Sequence, residues 1–167
     1  LRNNIYKVKE FEEAFSKRMK VPYALAVTSG TSALRVALAA LDIKAGDEVI
    51  TQAFTFVATA EAIIESRAIP VISEIDKTLN MDPKDLEKKI TNKTKAIIVV
   101  HMLGVPARLK EIKGIADKYG IPLIEDTAWG CGGYYDDFPL GTYGDIGTYS
   151  FDFAKTMTTG EGGMVVF

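Results

Sequence analysis

Apolar residues along this chain fall into two alternating rhythms. Short runs that are apolar at most positions alternate with stretches where apolar residues return about every three to four positions. The first rhythm predicts strands over Tyr23–Val27, Val49–Phe54, Ile69–Ile75, Lys95–His101, Pro122–Asp126, Asp145–Phe151 and Gly163–Phe167. The second predicts helices. One follows a polar opening, Leu1–Tyr6, and carries Val8, Phe11, Phe15 and Met19 on one side. Others cover Ala33–Leu41, Val57–Ser66, Pro83–Ile90 and Leu109–Tyr119. The punctuation agrees. Thr28 or Ser29 can cap the helix that follows them. Gly46-Asp47-Glu48 is a turn, and so is the region Asp137–Gly144, with Pro139, Gly141 and Gly144. Asp82-Pro83 offers a capping carboxylate and a first-turn proline, and Gly120 ends the helix before it. Lys95–His101 is apolar on both faces, as a strand covered from both sides must be. Strands and helices alternate without a repeat or a linker. The pattern predicts one three-layer α/β/α domain around a mostly parallel sheet.

Composition narrows the picture little. A chain of 167 residues can bury a real core. A net charge of -2 gives no attraction for nucleic acid or an anionic membrane, and neither is expected as a partner. The single cysteine, Cys131, excludes an internal disulfide and fits a reducing compartment. No apolar run approaches the roughly 20 residues of a membrane helix, and no secretory leader is visible. A cytoplasmic protein is expected. The sequence starts at Leu1 and stops at Phe167 inside a predicted strand, so a piece of a longer protein is expected.

In such a sheet, ligands bind beyond the carboxyl ends of the strands. Few polar residues stand there: Thr28-Ser29-Gly30-Thr31-Ser32, Phe54-Thr55-Phe56, His101, Glu125-Asp126, and Ser150 with Lys155 just beyond it. Lys155 has aromatic, small or hydroxylated neighbours, unlike Lys88 and Lys89 of a polar helix. A lysine in a partly dry pocket has a lowered pKa and can condense with an aldehyde to a Schiff base. The plain alternative is a loop lysine that reaches water. The turn from Ser29 to Ser32 enters a helix, so its backbone amides and the Thr31 and Ser32 hydroxyls have the form of a phosphate site. Taken alone, the turn is better explained as a plain helix cap. It has neither the Gly-Lys-Ser/Thr nor the Gly-x-Gly-x-x-Gly pattern. Asp126 ends an apolar strand, and a carboxylate buried there needs a cationic partner. A protonated pyridine nitrogen would serve, and so would Arg35, Arg67, Arg108 or a helix terminus. Phe56 offers either a ring face for stacking or core packing. His101 is a base, a second donor or a structural histidine. An amine nucleophile, a phosphate cup, a lone carboxylate and a flat ring together describe a site for pyridoxal 5'-phosphate.

The chain resembles the DegT/StrS-type sugar aminotransferases, pyridoxal phosphate enzymes of fold type I. The likeness rests on Ser29–Leu34, Gly46–Ile50, Phe54–Thr59, Thr94–Ile98, Val100-His101, Ile124–Asp126 and the run from Ser150 through Lys155 to Gly163. The resemblance implies that Lys155 is the Schiff-base lysine, Asp126 the partner of the pyridine nitrogen, Phe56 the stacking ring, and Gly30, Thr31 and Ser150 the phosphate contacts. Trp129 stands where the family usually has Gln or His near the cofactor's phenolic oxygen, and an indole can donate there but not accept. The dehydrating branch of the family has histidine in place of the lysine, so Lys155 implies transamination. Leu1–Glu10 and Ser150-Phe151-Asp152 are similar to a subgroup that aminates 3,8-dideoxy-octulosonate. The resemblance further implies that residues 1–167 are an incomplete cofactor-binding large domain. A C-terminal small domain, a homodimer, a keto-sugar substrate and glutamate as donor are expected with it. The alternatives are another fold type I enzyme, of aldolase or desulfurase type, and a non-catalytic regulatory homologue.

Overall fold

The computed structural model describes residues 7–167, so the polar opening Leu1–Tyr6 lies outside the described residues. In chain order the elements are α1 (Lys7–Met19), β1 (Ala24–Val27), α2 (Gly30–Ala40), β2 (Glu48–Gln52), α3 (Val57–Glu65), β3 (Ile69–Ser73), α4 (Pro83–Lys89), β4 (Thr94–Val100), α5 (Leu109–Tyr119), β5 (Leu123–Asp126), β6 (Tyr134–Tyr135), β7 (Phe138–Pro139), β8 (Ile146–Ser150) and β9 (Gly163–Val166). Every predicted strand and helix is present, with ends that differ by a few residues. The differences have local causes. Ser29 Oγ accepts from the Ser32 amide at 3.0 Å, and this cap starts α2 at Gly30 rather than at Ala33. β2 stops at Gln52 because that buried side chain takes over the pairing. Its Oε1 accepts from the amides of Val100 at 3.1 Å and Met81 at 3.3 Å. Val8 was expected on the apolar side of α1, but it sits in the first turn and is exposed, while Phe15 and Met19 are buried. The region expected to be a turn, Asp137–Gly144, also holds β7, which pairs with β6 in a separate two-stranded ribbon.

The seven-stranded sheet has the order β1-β9-β8-β5-β4-β2-β3. β9 alone runs against its neighbours, β1 and β8; all the other strands point the same way. Alternation along each strand divides the core between the two faces. Leu34, Leu38 and Ile63 of α2 and α3 cover Val49, Ile98, Ile124 and Val165. Leu86, Leu109 and Ile112 of α4 and α5 cover Ile50, Ile97, Val99 and Leu123 on the opposite face. On that same face Phe15 and Met19 of α1 close over Tyr149, Phe151, Met164 and Val166. Phe15 meets the rings of Tyr149 and Phe151 edge-on, at centroid distances of 5.0 and 5.6 Å. The expected three-layer α/β/α architecture is therefore the observed one.

β8 carries a close backbone approach that matters for the site. A Cβ built on Gly147 would lie 2.0 Å from the Gly141 carbonyl oxygen, which is backbone and cannot swing aside. Gly147→Ala is expected to force the segment around Gly141 off β8. The cost should be about 1–3 kcal/mol of overpacking, read as a lowered urea midpoint with an unchanged slope.

Candidate active site

The strand ends meet at one edge of the sheet. Val27 and Ser150 both lie opposite Gly163, and Asp126 lies between Val100 and Thr148. The turn after β1 lies directly on this edge. A Cβ on Gly30 would stand 2.7 Å from Ser150 Cβ, and one on Gly163 would stand 2.3 Å from the Ser29 carbonyl oxygen. Two bare glycines thus let the turn, the end of β8 and the start of β9 touch. The Gly30 and Thr31 amides open α2, where no helical carbonyl precedes them, so the positive end of the helix faces Ser150. Ser32 departs from expectation. Its amide is taken by the Ser29 cap, and its hydroxyl lies 2.9 Å from Thr28 Oγ1 and 3.0 Å from Ser29 Oγ. That hydroxyl is engaged within the turn, whereas Thr31 is half-buried in the first helical turn.

Asp126 is 5% exposed at the end of β5. Its Oδ2 accepts from Thr59 Oγ1 at 2.9 Å and its Oδ1 from the Ala128 amide at 3.2 Å. Thr59 Oγ1 is itself 2.8 Å from Thr55 Oγ1. None of the arginines considered from the sequence is its partner. Arg35 pairs with Glu65, and Arg108 with Glu111 and Asp76. Burial pushes the Asp126 carboxyl above its ordinary value, and the bonds from Ala128 and Thr59, with the charge of Lys155, offset only part of this.

Lys155 lies in the loop from β8 to β9 and is half-buried. Its Nζ stands 3.9 Å from the centroid of the Trp129 ring and 5.9 Å from that of Phe56. Desolvation lowers the Lys155 pKa, and the carboxylates of Asp126 and Asp152 pull against it without cancelling it. Phe56 is 60% exposed and caps α3, so its ring is not part of the core. Trp129 Nε1 and Thr127 Oγ1 are buried without a hydrogen-bond partner.

His101 is fully buried behind this cleft. Its Nδ1 accepts from the Ala107 amide at 3.2 Å, which leaves Nε2 to donate to Glu125 Oε2 at 2.8 Å. Glu125 further accepts from the amides of Gly141, Tyr143 and Gly144 at 2.9, 2.7 and 2.6 Å. Burial alone would raise the Glu125 carboxyl, but the bond from His101 and the amides of Gly144 and Gly141 outweigh it and hold it below its ordinary value. His101 is thus structural. Thr59 and Glu125 were given no role from the sequence. The signal for Thr59 was a hydroxyl in the first turn of the helix, four residues after Thr55 in the segment that leads into it. For Glu125 there was none, because its partners come from distant loops.

The DegT/DnrJ/EryC1/StrS aminotransferase family matches residues 3–167. The chain belongs to this family. It is 41% identical over 160 residues to GDP-perosamine synthase of Vibrio cholerae, covering 95% of this chain and 44% of that protein. Its fold superposes on the aminotransferase of Psychrobacter cryohalolentis with a TM-score of 0.93 at 42% identity, covering 96% of this chain and 41% of that one. It also superposes on a GDP-4-keto-6-deoxymannose-3-dehydratase with a trapped PLP-glutamate geminal diamine, with a TM-score of 0.91 at 34% identity, covering 97% and 44%. The chain therefore spans less than half the length of these relatives. The cofactor expected from the sequence, pyridoxal phosphate, is the one named for relatives of this chain. The residues present fit it. An amine lies over the Trp129 ring and near that of Phe56, no cation among the described residues forms an ion pair with the buried carboxylate, and the first amides of α2 lie against Ser150.

Two adjacent carboxylates give opposite expectations. Glu125 has a depressed folded pKa, so its stabilisation is present above the ordinary carboxylate range and is lost as pH falls through the folded value. Glu125→Gln should cost about 3 kcal/mol at neutral pH, and the loss should shrink towards acid pH in urea titrations. Asp126 has a raised folded pKa, so charging it destabilises the ligand-free chain as pH rises above the ordinary value. Asp126→Asn should raise the ligand-free thermal midpoint at neutral pH and change it little at acid pH, as followed by circular dichroism.

Proposed function

We propose that residues 1–167 are the cofactor-binding large domain of a pyridoxal phosphate-dependent aminotransferase that transfers an amino group from glutamate to a keto sugar. The observation that carries this reading is the convergence of Lys155, Phe56, Trp129 and Asp126 at one edge, from three segments remote in sequence. When bound, the cofactor supplies an aldehyde carbon and a protonated ring that withdraws electrons.

The chain's own residues have separable tasks in this reading. The lowered pKa of Lys155 provides neutral amine nearer to working pH, and the amine is the group that holds the aldehyde end. Lys155 Nζ, when not bonded to the aldehyde, would be the base placed to take up and return a proton at the substrate carbon. Asp126, held by Thr59 and Ala128 and raised by burial, would be favoured as a carboxylate by a ring N–H beside it and would in turn hold that proton. Phe56 would offer its face to the ring. Gly30, Thr31 and Ser150 would hold the phosphate, with Ser32 bonded inside the turn behind them. Trp129 borders the lysine.

The expected setting is a cytoplasmic homodimer completed by a small C-terminal domain. Among the described residues no helix is long and apolar enough to cross a membrane. Phe153 at 79% exposure and Leu103 at 62% present apolar surface beside the site, which supports cover by a second copy. The sugar is of the nucleotide-linked or 3,8-dideoxy-octulosonate type. The second option rests on Leu1–Glu10, partly outside the described residues, and on Ser150-Phe151-Asp152.

The test joins chemistry to turnover. Borohydride reduction in the presence of pyridoxal phosphate should attach a pyridoxyl group to Lys155, and Lys155→Ala should abolish it. With glutamate and a panel of keto sugars, the full-length enzyme should release 2-oxoglutarate, and Lys155→Ala should slow this at least about a hundredfold. A pyridoxyl group found on another lysine by mass spectrometry would overturn the assignment. Turnover with glutamine, releasing 2-oxoglutaramate, would change only the donor.

A further inference from the structure

Lys155 is held in an unusual way for a half-buried ammonium. Among the described residues no carboxylate forms an ion pair with it; Asp126 and Asp152 act on it from longer range. Its closest charge-stabilising neighbour is the flat face of Trp129, with Nζ 3.9 Å from the ring centroid. Phe56 lies 5.9 Å away as a second, weaker face. Tryptophan is the strongest of the aromatic side chains as a partner for a cation, and desolvation strengthens the attraction.

The position of that ring is built in. Trp129 sits in a tight turn closed by the Gly130 amide on the Thr127 carbonyl at 3.0 Å. Gly104 packs against its carbonyl oxygen, where an added Cβ would come within 3.1 Å. The indole N–H is buried and unpaired, so no hydrogen bond explains the orientation of the ring. What the ring offers is its face, and Lys155 occupies it.

We propose that Trp129 holds Lys155 as an ammonium ion through its ring face and thereby sets the pH at which the amine is released to capture an aldehyde. This rests on the reading of Lys155 as the reactive amine. The two environmental effects oppose each other: burial favours the neutral amine, and the ring face favours the cation. The charged groups facing Lys155 are Asp126 at the end of β5 and Asp152 in its own loop, with the His101–Glu125 pair behind Asp126. The start of α3 presents the uncharged ring of Phe56 to it. Capture needs the neutral form. Its lone pair forms the C–N bond, the nitrogen gives up both protons, and the carbonyl oxygen leaves as water. Trp129 is therefore a positioning residue, acting through the lysine.

Two measurements test this. In the first, pyridoxal 5'-phosphate is added across a pH series and the initial rate of capture is followed by absorbance, with the site confirmed by reduction and mass spectrometry. The aldehyde's own titrations are common to every variant. Trp129→Leu should move the midpoint to lower pH by roughly half to one and a half units, with Trp129→Phe between it and the parent chain. Coincident midpoints for the three would overturn the proposal. In the second, the ligand-free chain is titrated by fluorescence. Trp129 is its single tryptophan, so the emission reports this ring. The seven tyrosines also ionise in the alkaline range, so the parent chain is compared with Lys155→Met. The parent curve should carry an alkaline component that the variant lacks, and coincident curves overturn the proposal. If Lys155 captures no aldehyde at any pH, the functional reading fails, and the fluorescence titration alone decides whether the ring holds the ammonium. Should Trp129→Leu fail to fold, the Phe variant and the fluorescence titration carry the decision.

Discussion

A single buried carboxylate ties the site-bearing half of the sheet together. Glu125 leaves β5 with no access to water and receives the His101 imidazole from the end of β4 and the amides of Gly141, Tyr143 and Gly144 from the turn that enters β8. A charge in that position is tolerated only when each oxygen is fully engaged. The network therefore dictates where three strand ends lie relative to one another. Gly147 and Gly141 supply the other half of the constraint, because their backbones must touch for the turn to reach Glu125.

Asp126 is the next residue along the same strand and meets the opposite fate. Alternation sends it to the other side, where it has a threonine hydroxyl and one amide but, among the described residues, no cation in contact. One carboxyl is held below its ordinary value and its neighbour above it, although both are buried. The difference lies entirely in the partners. A satisfied carboxylate stabilises a fold, whereas one left short of charge compensation is poised for a cationic ligand. Lys155 shows the same division. Its charge is met by ring faces rather than by a salt bridge, which leaves an amine free to react once neutral.

The membership of the family and the geometry of the edge support each other without being the same evidence. The family match covers nearly the whole chain. The geometry adds what a match does not carry: a serine that caps rather than reaches outward, a histidine locked against Glu125, and an indole lying over the lysine.

The sequence by itself determined the layers, the strand and helix order, and the identity of the edge where polar residues gather. These follow from local rules: the rhythm of apolar positions, the caps at Ser29 and Asp82, and the stop at Gly120. Each needs only neighbours within a few residues. It also marked Lys155, Asp126 and Phe56, since each breaks the pattern expected of a bland loop or strand end. Tertiary structure alone decided the rest. That Thr59 orients Asp126, and that Arg35 and Arg108 pair elsewhere rather than with that carboxylate, depend on contacts across the sheet. The placement of Trp129 on Lys155 joins segments from either side of β8. Such contacts are set by packing between distant segments, and a one-dimensional pattern holds no record of them.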